Sequence, residues 1–274
     1  MAKRDVNRTV EHLVVSINAA RQATEPFYHL QFSGFLPPDL YSEILEKLPV
    51  REDYRLMSGR TKSTRTGAPE GTRIKLDLFP EFIRHLPQTK REIWSHIGQA
   101  IRSPKVRNAF IQQLAAGLER RFGPTYPKVG MYPIPILTRD RPGYKIGIHP
   151  DTHWKGMTIQ IYLPPDDSIQ HVGTVFHRRS GEKTYERASQ MSFLPNTGYA
   201  FAVDKDTYHS VDTIGPEVTV RDSILLTYFV DSFPLYFLRN RGRRIGNFVL
   251  NELRRLRQPQ ARADAQPAPA MIRS

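Results

Sequence analysis

The chain of 274 residues is 39% hydrophobic and 24% charged and contains no cysteine. This composition supports a packed core and excludes disorder throughout. The missing thiols exclude disulfides, thiolate catalysis and thiolate metal sites, so any metal must be held by His, Asp or Glu.

The first element is a helix, because Val10, Leu13, Val14 and Ile17 recur at helical spacing. Residues 27–33 (FYHLQFS) read as a strand, and Pro37-Pro38-Asp39 opens a helix through Leu48 that Pro49 ends. The polar stretch 50–76 reads as loop. Apolar residues from Phe79 to Phe122 return to helical spacing, punctuated by Pro87 and Pro104. After Gly123-Pro124 the texture changes to short apolar runs: VGMYPIPIL, YKIGIH, MTIQIYL, GTVFHRR, QMSFL, GYAFAV, VTV and DSILLTYFV. Short strands at regular spacing predict a sandwich, jelly roll or barrel. The expected organisation is a mostly helical support region over 1–124, a β core over 125–233, a basic amphipathic helix over 234–257 and a disordered Ala/Pro/Gln-rich tail over 258–274.

The net charge of +13 is uneven. Nine arginines against Glu252 and Asp264 place +7 of it in residues 239–274. A nucleic-acid-binding domain spreads or stripes its charge over the fold, so nucleic acid is disfavoured as partner; the basic helix is expected to pack on the core or to mediate self-association. No run approaches the roughly 18 apolar residues of a membrane span, and Glu11 interrupts the N-terminal segment, so no signal peptide is read and a soluble, cytoplasmic protein is expected.

Chemistry concentrates in the second half. His149-Pro150-Asp151 sets an imidazole and a carboxylate two positions apart, on one face of a strand. Two His and one carboxylate on one triangular face leave three positions of an octahedral ion open, the arrangement of non-haem Fe(II) oxygenases. His209, at a strand-like edge sixty residues after His149, is the candidate third ligand; His153, His171 and His177 are rivals. Further on, Arg221, Ser223, Leu225 and Thr227 share one strand face, and an inward arginine needs an anion. Thr158, Gln160 and Tyr162 share a face of another strand. Together these residues describe a pocket for a chelating cosubstrate that carries a carboxylate. Trp154, Lys155, Arg178 and Arg179 read equally well as a substrate mouth or as ordinary loop residues.

The ordered set His149-x-Asp151, His209 and Arg221-x-Ser223 resembles the iron- and 2-oxoglutarate-dependent oxygenases over about residues 125–230. The resemblance implies an α+β, mainly β chain with a double-stranded β-helix (jelly-roll, cupin-like) core. It implies Fe(II) on His149, Asp151 and His209, 2-oxoglutarate as cosubstrate with its far carboxylate on Arg221, and O2 as oxidant. Tyr162, Ser223 and Thr158 are the further expected cosubstrate contacts. Succinate and CO2 would be released as a small molecule is hydroxylated, an amino acid, sugar derivative or natural-product intermediate being expected. Asp151 argues against halogenation, because the family's halogenating members lack that carboxylate. A nucleic-acid or peptidyl oxygenase, and a cupin-like metal protein without oxygenase activity, are the alternatives.

Overall fold

The computed structural model describes residues 5–57, 71–232 and 234–256. The chain divides into two units, Met1–Ser232 and Phe233–Ser274.

The first unit opens with α1 (Val6–Asn18), where the Asp5 carboxylate accepts the Asn7 amide at 2.8 Å and so caps the helix. Val10, Leu13 and Ile17 are buried, as their spacing predicts. Strands β1 (Arg21–Ala23) and β2 (His29–Ser33) follow, then α2 (Pro38–Glu46), β3 (Arg55–Leu56) and β4 (Arg73–Asp77). Four helices come next: α3 (Pro80–Ile83), α4 (Gln88–Ile101), α5 (Pro104–Gln113) and α6 (Ala115–Phe122). Proline at the first position of α3 and α5 costs no hydrogen bond there. Gly123, at φ 70°, ends α6 in the left-handed region that glycine enters freely. Eight strands complete the unit: β5 (Met131–Asp140), β6 (Ile146–His149), β7 (Lys155–Tyr162), β8 (Thr174–Arg179), β9 (Tyr185–Met191), β10 (Thr197–Ala202), β11 (His209–Val211) and β12 (Arg221–Val230).

These strands make two antiparallel sheets. The larger has the order β1-β2-β10-β7-β12-β5-β4-β3 and the smaller β6-β11-β8-β9. Alternation along the large sheet sends Ile159, Ile161, Ile224 and Leu226 to one face, where they bury against helix residues such as Leu13, Trp94, Ile97 and Phe110. A second core lies between the sheets, built from Tyr162, Phe176, Phe193, Tyr199, Phe201 and Val211. At roughly 25 cal/mol per Å² of buried apolar surface, these two layers are the main favourable term in the fold.

The structure departs from the sequence reading in several places. Arg73–Asp77, read as loop, is strand β4 and pairs with β5 through five residues. Its alternation is real (Arg-Ile-Lys-Leu-Asp), but three of five residues are charged, so it does not look apolar. Tyr185–Met191 (YERASQM) forms β9 although only Met191 is buried. It is an edge strand, paired on one side and largely wet, which needs little hydrophobicity. Val218–Val220 is not a strand. Residues 1–124 also supply β1 to β4 to the large sheet, so that region does more than cover it with helices.

The second unit is α7 (Pro234–Leu256), which exposes Leu235, Leu238, Ile245, Val249 and Leu253. The tail expected to be disordered, 258–274, lies outside the described residues. No helix among the described residues is long and apolar enough to cross a membrane.

Candidate active site

Strand pairing brings the two histidines together. His209, the first residue of β11, pairs directly with His149, the last residue of β6, and with Phe176 of β8 on its other side. The two imidazole centroids are 4.5 Å apart. Asp151 follows in the turn from β6 to β7. His149, Asp151 and His209 each offer a ligand atom within 4.8 Å of the others, near enough to share one ion.

The hydrogen bonds behind these residues fix what they present. His149 Nδ1 donates to the Gly147 carbonyl at 2.8 Å, and His209 Nδ1 to the Thr207 carbonyl at 3.0 Å. A carbonyl only accepts, so each Nδ1 carries the proton and each Nε2 keeps its lone pair for a metal. Burial lowers the pKa of both imidazoles. His209 is pushed down to about 4, burial being helped by His149 and Lys155 and opposed by Asp151. Burial would raise the Asp151 carboxyl, but the Lys155 ammonium, His209 and the Thr158 hydroxyl outweigh it and hold Asp151 well below the usual carboxylate range. Lys155 pairs with Oδ1, and Thr158 Oγ1 donates to Oδ2 at 2.6 Å. Two neutral imidazoles and one ionised carboxylate are the protonation states a divalent metal requires.

This arrangement makes the metal-free chain sensitive to acid. Unfolded, His209 takes a proton near pH 6.5; folded, it resists until about pH 4. Between those values the unfolded state binds more protons, so stability falls as pH falls. From pH 7 to pH 4 this residue alone is expected to remove about 3 kcal/mol. Urea unfolding midpoints at pH 7, 5.5 and 4 check it, and His209→Gln should flatten the profile in that window. An identical profile in the variant refutes the assignment.

The inner face of the large sheet carries the other expected residues. Register sets Ser223 opposite Tyr162, Leu225 opposite Gln160 and Thr227 opposite Thr158. Ser223 Oγ meets Thr138 Oγ1 at 2.8 Å and accepts from Gln160 Nε2 at 2.9 Å. Tyr199 donates to Gln160 Oε1 at 2.7 Å. Tyr162 OH accepts the Thr174 amide at 3.0 Å and donates to Thr174 Oγ1 at 3.1 Å. Thr158 is the exception, since its hydroxyl is turned to Asp151.

Arg221 is completely buried, and its carboxylate partner is Asp140 on β5 at 2.7 Å, rather than Asp222 or Glu217. Asp222 points to the opposite face and pairs with Arg139. Arg221 Nε donates to the Val172 carbonyl at 2.8 Å. Its Nη2 is buried without a hydrogen-bond partner among the described residues. Of the rival histidines, His153 packs its ring on Trp154, and His171 lies exposed near Glu217. His177 is buried and bonded to Ser210 at 2.8 Å. Arg178 pairs with Glu25 in solvent, and Arg179 donates to the carbonyls of Gly181 and Glu182.

No protein-family model matches the sequence, and no curated protein matches it. Solved structures do. A prolyl hydroxylase from Trichoplax adhaerens, solved with a peptide fragment of the hypoxia inducible factor oxygen degradation domain, superposes with a TM-score of 0.52. The match covers 82% of this chain and 91% of that one at 13% identity. The chain shares the fold of that structure. A prolyl-4-hydroxylase from Pseudomonas putida (TM-score 0.47, 14% identity, 81% and 98% coverage) and the α-ketoglutarate-dependent epimerase SnoN from nogalamycin biosynthesis (0.46, 12%, 81% and 82%) are also similar. At 13% identity the likeness to the Trichoplax structure is one of fold.

Sequence reasoning missed Arg73, Asp140 and Tyr199 and gave Lys155 no defined role. The alternation of Arg73 and Lys75 about Ile74 was the available signal for the first. The pairing of Asp140 with Arg221 requires the β5–β12 register, which spacing alone does not give.

Proposed function

We propose that the protein is an Fe(II)- and 2-oxoglutarate-dependent oxygenase built on a double-stranded β-helix, and that hydroxylation is its reaction. One observation carries the reading: His149, Asp151 and His209 converge with both Nε2 atoms free, on a fold shared with a prolyl hydroxylase. The donor set suits iron, being two imidazoles and one carboxylate with no thiolate. Bound there, iron with 2-oxoglutarate and O2 would supply an oxidant strong enough to break a C–H bond, with succinate and CO2 released.

The chain's own residues orient this chemistry. The Gly147 and Thr207 carbonyls lock the imidazole tautomers. Lys155 and Thr158 hold Asp151 ionised and fix its carboxylate plane. Arg221 would receive the far carboxylate of 2-oxoglutarate, beside Tyr162 and with Ser223 further along the same strand face. The phenyl rings of Phe176, Phe193 and Phe201, all fully buried, exclude water from the space between the sheets.

A small-molecule substrate is our leading assignment. A peptide is the second reading, favoured by the peptide bound to the Trichoplax structure. The deciding experiment adds Fe(II) and then 2-oxoglutarate to the protein without oxygen and follows the weak visible charge-transfer band. A band, followed by succinate release once air is admitted, is the expected result. A folded protein showing neither points to a cupin-like metal protein. Screening the active enzyme against small-molecule and peptide pools for oxygen incorporation separates the two substrate classes.

A further inference from the structure

One row of the large sheet holds two guanidinium groups and one carboxylate. Register sets Asp140 directly between Arg73 of β4 and Arg221 of β12. Arg73 holds both oxygens of Asp140, with Nη2 2.7 Å from Oδ2, and Arg221 Nη1 reaches Oδ2 at 2.7 Å. The Asp140 and Arg221 side chains have no solvent exposure, and that of Arg73 only 13%. The trio thus carries one uncompensated positive charge. Aromatic faces soften it: Phe193 lies 4.8 Å from the Arg221 guanidinium and Tyr144 4.0 Å from that of Arg73. They supply no counter-charge. Arg55, Asp77 and Lys75 pair among themselves further along β4. A buried cation without an anion is costly, and Arg221 Nη2 is buried with no hydrogen-bond partner among the described residues. The site is electrically one anion short.

Resting on the oxygenase reading, we propose that Arg73 and Asp140 are positioning residues for the far carboxylate of 2-oxoglutarate. Asp140 orients Arg221 and cancels one of the two cations. Arg73 supplies the second cation, which leaves Arg221 with a net charge to offer. Without Arg73, Asp140 would turn wholly to Arg221 and the site would be neutral, although the arginine that meets the ligand is intact. Removing Asp140 as well would restore the excess.

The test is calorimetric titration of the full-length protein, with Mn(II) in place of iron so that no turnover occurs. 2-Oxoglutarate is titrated into wild type, Arg73→Gln, Arg73→Lys, Asp140→Asn and the double variant Arg73→Gln/Asp140→Asn, each checked by circular dichroism. Arg73→Gln should bind about tenfold or more weakly, since a unit charge a few ångströms from the ligand is lost. Arg73→Lys should keep most of the affinity, and the double variant should recover to within about threefold of wild type. Affinity unchanged in Arg73→Gln, or no recovery in the double variant, overturns the proposal and leaves the oxygenase reading standing. Glutarate, which lacks the chelating 2-oxo group, is titrated into the metal-free protein in parallel. If glutarate follows the same charge pattern while 2-oxoglutarate shows no metal dependence, the charge arrangement stands and the oxygenase reading falls. If wild type binds neither acid, both fall.

Discussion

Replacing His209 with alanine is expected to weaken Fe(II) or Mn(II) binding on the order of a hundredfold or more and to abolish cosubstrate turnover. The argument is geometric. His209 and His149 face each other across one strand pair, and no other histidine among the described residues takes part in the cluster with Asp151. Removing one imidazole leaves one nitrogen and one carboxylate, too few to hold a divalent ion against water. The fold should survive: the ring sits 5.3 Å from Phe201 and 4.5 Å from His149, and its loss opens a small cavity costing about 1–3 kcal/mol. Calorimetric titration of Mn(II) gives the affinity, and circular dichroism verifies folding. A folded variant that keeps wild-type affinity would remove His209 from the site.

Arg221→Met is expected to lose 2-oxoglutarate binding while costing only modest stability. Methionine fills much of the volume between Phe193 and Tyr162. Asp140 keeps Arg73 as its partner, so no buried carboxylate is stranded. The bond to the Val172 carbonyl is lost, which costs about 1–2 kcal/mol. Metal affinity should be unchanged, because Arg221 touches none of the three ligands. Loss of the visible charge-transfer band with retained Mn(II) binding is the expected signature. If the band persists, another cation receives the carboxylate.

Much of this site can be read in the sequence, for a physical reason. Arg221 and Ser223 are two positions apart and Thr158 and Tyr162 four, and a strand converts even spacing into a shared face; Asp151 follows His149 by two, just past the end of its strand. Alternating strands also need apolar partners on the other face, and Ile159, Ile161, Ile224 and Leu226 declare themselves by composition. What escapes is the identity of neighbours across strands. Asp140 reads as an ordinary loop-edge acid until its register with Arg221 is known. Arg73 sits in a charged strand whose inner face is polar and held in ion pairs, so hydrophobic patterning fails there. Lys155 meets Asp151 through a turn, at a separation of four that the sequence suggests only for a helix.

The pairing of β5 with β12 has a consequence for folding fidelity. Arg139-Asp140 lies opposite Arg221-Asp222 with charges crossed, Arg221 to Asp140 on the inner face and Asp222 to Arg139 on the outer. A slip of one residue in one direction would set Arg221 against Arg139. A slip in the other would set it against Arg141, and Asp222 against Asp140. Either error places like charges face to face. Two dipeptides thus act as a keyed joint: the residues proposed to read an anion also reject the misaligned sheet.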